Sequence, residues 1–138
     1  MSRTVATLLT VANVVVMACS DAGAPLWEDG GEHREMIDVL MMPDTIAVND
    51  TLVIGARGLG AHGRPAACRW ESVRSQSQLA LTLWVRSDRW VGSYPPPPYD
   101  LAFECQFEAA PPFPVGTVHI VGHQPDGGSL IDSVAVIP

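Results

Sequence analysis

Leu79-Ala80-Leu81-Thr82-Leu83-Trp84-Val85-Arg86 alternates in character with a period of two. In an extended chain successive side chains point to opposite faces, so Leu79, Leu81, Leu83 and Val85 share one face and Ala80, Thr82, Trp84 and Arg86 the other. That is the signature of a strand with one side in a core. Leu101, Phe103, Cys105 and Phe107 repeat it against Ala102, Glu104, Gln106 and Glu108. Shorter runs predict further strands over 36–41, where Ile37, Val39 and Met41 align, and around Ile46 and Val48, Leu52 and Ile54, Val118 and Ile120, and Val134 and Val136.

Turn-forming residues separate these runs at Asn49-Asp50, 57–63, 88–99, 111–114 and Pro125-Asp126-Gly127-Gly128. Proline fixes φ, and glycine or asparagine accepts φ above zero, so each cluster ends a strand for a physical reason. The expected fold is all-β: a single antiparallel sandwich of seven to eight strands over residues 36–138. A small up-and-down barrel is the other arrangement that this pattern allows.

Toward the N-terminus, residues 20–35 hold five acidic side chains, three glycines and one proline, with Leu26-Trp27 the only bulky apolar pair. Together with Cys19 they read as a flexible acidic tether, 19–35. Asp29-Gly30-Gly31, with Glu28, Glu32 and His33 beside it, lacks the alternating oxygen ligands and closing glutamate of a calcium loop. Earlier still, Arg3 supplies one positive charge and residues 5–18 run uncharged, with Thr7, Thr10 and Asn13 as polar interruptions. That run falls short of the ~20 apolar residues a membrane-spanning helix needs and matches the hydrophobic region of an export signal.

Val16-Met17-Ala18-Cys19, at the end of that run, resembles the bacterial lipobox. The resemblance implies a signal peptide over 1–18, diacylglycerol on the Cys19 thiol, cleavage just before it, and a mature chain held at a membrane by its lipid. Ser20 after the cysteine resembles the sorting choice for the outer membrane in Gram-negative cells. The expected location is therefore the cell membrane or outer membrane, with the protein facing the periplasm or the extracellular space.

Fifteen Asp and Glu stand against eight basic residues, all arginine, for a formal net charge of −7. An acidic surface has few cations with which to displace counterions, which argues against nucleic acid as a partner. The absence of lysine removes Schiff-base chemistry and lysine-based phosphate loops. With Cys19 taken by lipid, Cys68 and Cys105 remain as a pair in an oxidising compartment, and a disulfide is expected.

Pro43-Asp44-Thr45-Ile46-Ala47-Val48-Asn49-Asp50-Thr51-Leu52-Val53-Ile54 reads as strand, tight turn and strand, and 116–137 reads as a closing hairpin. Cys68-Arg69-Trp70 sets a cysteine and an aromatic on one strand face. These features loosely resemble immunoglobulin-like and fibronectin type III-like modules of secreted bacterial proteins. The cysteines depart from that pattern, since Cys68 follows the second strand and Cys105 precedes the last two. Phe103 stands where such domains carry a tyrosine two residues before the second cysteine.

No Gly-x-Ser-x-Gly elbow, His-Glu-x-x-His, glycine-rich phosphate loop or zinc ribbon occurs, so the chain is read as non-catalytic, with no cofactor and no metal. His119 and His123 would lie roughly 13 Å apart along a strand, too far for one ion. Met36, Met41 and Met42 serve a strand that needs apolar residues. Gly58-Leu59-Gly60-Ala61-His62-Gly63-Arg64 lacks the strand-then-helix context of a phosphate loop and reads as a connector.

The segment Arg89-Trp90-Val91-Gly92-Ser93-Tyr94-Pro95-Pro96-Pro97-Pro98-Tyr99 stands apart. Four prolines fix a stiff polyproline II stretch between two tyrosines. Trp, Tyr and Arg dominate binding hot spots, and a stiff loop loses little entropy on contact. Arg89, Trp90, Tyr94 and Tyr99 are thus the candidate binding residues, with another envelope protein or a glycan as the expected partner. The alternative is a periplasmic ligand-capture module, for a glycan or a metal, using the loops 57–67 and 87–99. The strand 117–121 carries few of the charges that blunt a sheet edge, which makes it a candidate for strand addition.

Overall fold

The computed structural model describes residues 26–138, which form nine strands and no helix. The expected signal peptide over 1–18, Cys19 and the first part of the expected tether lie outside the described residues. The strands are β1 (Trp27–Arg34), β2 (Val39–Met41), β3 (Thr45–Ala47), β4 (Leu52–Leu59), β5 (Arg64–Arg74), β6 (Gln78–Trp90), β7 (Ala102–Ala109), β8 (Gly116–His123) and β9 (Ser129–Ile137).

β6 carries the Leu79-to-Arg86 alternation, and Leu79, Leu81, Leu83 and Val85 are all buried. It organises a six-stranded sheet. β5 runs antiparallel along one edge of β6. On the other edge β8 runs parallel beside 78–82 and β1 antiparallel beside 84–90. β9 pairs β8 antiparallel, and β3 pairs β9 in parallel. The second sheet is the antiparallel set β2-β4-β7.

The all-β class holds, but the sheets are not wholly antiparallel. β7 crosses to the second sheet between β6 and β8, so β8 re-enters beside β6 from the same end, and such a crossover makes neighbours parallel. β8 is consequently paired on both sides over His119–His123, so the edge expected at 117–121 is covered from His119 onward.

Two further expectations change. Residues 27–34, assigned to the tether, form β1 and pair with β6. Gly30 and Gly31 sit in a bulge between Asp29 and Glu32, where Gly31 adopts φ 86°. Within 36–41 only Val39–Met41 is a strand, and it points Leu40 inward while Val39 is exposed. The buried Gln124 side chain fixes the approach, accepting from Ile37 N at 2.9 Å and donating to Ile37 O at 2.7 Å. A shift of one residue exchanges the two faces of a strand, which is why the predicted Ile37/Val39/Met41 row fails.

Between the sheets, Leu52, Ile54 and Ala56 of β4 and Phe103 of β7 pack with the β6 row and with Val118, Ile120, Val134 and Val136. Each fully buried Leu or Ile contributes about 1.5–3 kcal/mol. The disulfide Cys68–Cys105 joins β5 to β7, and so one sheet to the other, with Cα atoms 5.9 Å apart. Trp70 Nε1 donates to the Gln106 carbonyl at 2.9 Å, a second link along the same seam.

Candidate functional site

β6 runs on to Trp90, so Arg89 and Trp90 belong to a strand and not to the loop assigned from sequence. β1 starts at Trp27, directly opposite Trp90. The Trp27 ring lies 5.2 Å from the Trp90 ring and 5.0 Å from the Tyr99 ring, edge-on to both, and the Arg64 guanidinium stands 4.1 Å from its centroid. Edge-to-face aromatic pairs stabilise by about 0.5–1.5 kcal/mol beyond their buried area. Trp27 is therefore the hub of an aromatic cluster at one end of the molecule.

The turn between β4 and β5 delivers Arg64. Gly63 takes φ 128°, and a Cβ there would collide with the Asp88 carbonyl, so the close return of the chain needs glycine. Glu35, whose side chain is 2 % exposed, holds the same turn by accepting from Ala61 N at 3.0 Å and from His62 Nδ1 at 2.8 Å. His62 in turn stacks on His33 with ring centroids 4.2 Å apart. These residues position Arg64, which also donates to Asp88 at 3.1 Å.

Around the cluster lies exposed apolar surface. Tyr94 is 82 % exposed and Tyr99 37 %, and Leu26, Leu59, Val91 and Leu101 are exposed as well. Backbone bonds hold these residues to the same end: Val91 N to Leu26 O at 2.8 Å, and Gly60 N to Leu101 O at 2.7 Å. Trp90 Nε1 donates to the Tyr94 carbonyl, which ties the proline-rich loop to β6.

Of the four residues expected from sequence, Trp90 and Tyr99 meet in the cluster and Tyr94 joins through its backbone. Arg89 does not, because neighbours in a strand point to opposite faces, and it pairs with Glu28 instead. Trp27 and Arg64 were missed. Their signals were present: an isolated tryptophan in an acidic segment, and an arginine closing a glycine-rich turn.

On the outer face of the large sheet, Arg69 reaches Glu32 at 2.9 Å and Glu71 at 2.8 Å. Its hydrogen bonds hold both carboxyls below the usual carboxylate range, and the two carboxylates push Arg69 up in turn. Beside them is a shallow groove of about 370 Å³ lined by Arg34, Glu71, Thr82, Trp84, His123 and Gln124 among others. Arg34 Nε and Trp84 Nε1 are buried there without an aligned acceptor among the described residues, although the indole N–H still favours the Glu71 carboxylate. No group of three His, Cys, Asp or Glu among the described residues is placed to hold a metal ion, and His119 and His123 are both exposed on β8.

The aromatic end offers contact chemistry. Arg64 and Arg89 are paired with Asp88 and Glu28, and the groups that remain open are rings, aliphatic side chains, the Asp100 carboxylate and the carbonyls of a proline run. No protein-family model, no curated protein and no solved structure matches this chain.

Proposed function

We propose that this chain is a lipid-anchored extracytoplasmic protein that acts by structure or by protein binding and not by catalysis. The observation that carries the reading is the open aromatic end, which gathers Trp27, Trp90, Tyr94 and Tyr99 where the chain arrives from Cys19, seven residues before Leu26. Two packed sheets and an intersheet disulfide support an immunoglobulin-like classification with two parallel pairings added. The disulfide also suits an oxidising compartment. The test is the intact mass of the protein extracted from its host membranes, with and without reduction and thiol labelling. The expected result is a chain beginning at Cys19 with added acyl mass and two thiols that label only after reduction. A full-length unmodified chain with three free thiols contradicts it.

A second reading, ligand capture, is favoured by the buried N–H groups of Arg34 and Trp84 in the outer-face groove. That site is not the loops 57–67 and 87–99. Saturable binding of a small glycan that is lost in Arg34→Ala would support it.

A further inference from the structure

We propose that the aromatic end docks on the lipid surface to which the chain is anchored, with Trp27, Trp90, Tyr94 and Tyr99 at the headgroup level. This rests on the reading of Cys19 as the lipid attachment. The argument begins with reach. Leu26 stands seven positions after Cys19, and a fully extended chain covers at most about 3.6 Å per residue, so the described part of the protein starts within roughly 25 Å of the anchor. The end nearest that attachment is the aromatic one, because β1 opens with Trp27 and its partner Trp90 closes β6.

The chemistry of that end suits an interface between water and hydrocarbon. Trp and Tyr combine an apolar body with a polar tip and concentrate at headgroup depth. Exposed Leu26, Val91 and Leu101 add aliphatic surface beside them. The loop crown is Pro95-Pro96-Pro97-Pro98, four consecutive residues without an N–H. A backbone entering a poorly hydrated layer pays mainly for unpaired donors and acceptors, and this crown has no donors to leave unpaired. Two ion pairs at this end are internally matched, Arg64 with Asp88 and Arg89 with Glu28, while the exposed Asp100 carboxylate accepts only from Ala102 N, at 2.8 Å, and must stay on the water side of the interface.

At this end a protein or glycan partner is the weaker occupant, so of the two roles proposed above it is the structural one, seating the domain on the envelope surface, that this end serves. Tyr94 is the most exposed large side chain here, and the nearby recess of about 190 Å³ between Pro65–Cys68 and Ala102–Glu104 is lined by none of the four aromatic residues. A tether this short also leaves the end facing the bilayer and the remaining faces free.

The test uses the acylated full chain, its mass verified, in phosphatidylcholine–phosphatidylglycerol vesicles whose acyl chains carry bromine near the headgroup. Wild-type tryptophan emission should fall relative to unbrominated vesicles. The loss should disappear in Trp27→Phe/Trp90→Phe, which retains Trp70 and Trp84. Tyr94→Asp, at an exposed site that leaves the fold alone, should reduce the quenching with all four tryptophans in place. A chain without acyl mass overturns the anchor and the docking together. An acylated chain with no quenching, or one whose aromatic end cross-links to another envelope protein without quenching, overturns the docking and leaves the anchor standing.

Discussion

β5 starts and finishes with an arginine over an aromatic ring, and the two ends of the molecule differ in what surrounds that pair. At one end Arg74 lies 4.0 Å from the Phe113 ring, Phe113 is 3 % exposed, and Arg74 also donates to the Ala110 and Pro112 carbonyls. At the other, Arg64 lies 4.1 Å from Trp27 amid exposed aromatic and aliphatic side chains. The same contact serves opposite purposes. At the Phe113 end the ring is spent on the core and the carbonyls beside it are matched, leaving isolated aliphatic side chains such as Val73 and Val115 exposed, whereas the Trp27 end keeps aromatic rings available.

Mutations that separate the ends should differ most in stability. Phe113→Ala removes a buried ring and should cost about 3–5 kcal/mol in urea denaturation, while Tyr94→Ala at the open end should stay within about 0.5 kcal/mol. Equal losses would erase the distinction between the ends. Cys68→Ser/Cys105→Ser releases a closure across 37 residues of sequence and should cost about 4 kcal/mol in the same assay. Because that staple joins the sheets midway along β5, its loss should loosen both ends together.

Arg74→Ala should cost about 1–3 kcal/mol, since it strands two carbonyls of the Phe113 end. Arg64→Ala, which loses a half-exposed cation–π contact and a surface ion pair, should cost about 0.5–1 kcal/mol. The smallest effect belongs to the outer face between the ends. Glu32 and Glu71 have folded values below their ordinary 4.5, so they contribute stability above that pH that disappears as the pH falls through the folded values. Glu32→Gln/Glu71→Gln should therefore lose less stability than the wild type on acidification from about pH 5 to pH 3, read from urea midpoints.

The closed parts of the molecule were readable from sequence because burial imposes periodicity. β6 and most of β7 followed from alternation alone, and the Cys68–Cys105 pair followed from counting. β5 carries no such pattern: it lies at the rim, mostly exposed, and is held by the disulfide, Trp70 and Arg74. Strand order was also hidden, since a period of two fixes faces and not neighbours, and the parallel pairings depend on where β7 crosses. At the open end, Trp90, Tyr94 and Tyr99 were visible as an unusual run. Trp27 and Arg64 came from segments read as tether and connector, because what makes them part of the site is long-range pairing with β6.

Amide hydrogen exchange of the acylated full chain, on and off lipid vesicles, addresses the difference between the two ends most directly. Exchange should slow over 26–28, 90–94 and 99–101 when vesicles are present and remain unchanged over 110–115. Slowing around Phe113, or no slowing at either end, would contradict the assignment of the aromatic end as the surface this protein presents to its membrane.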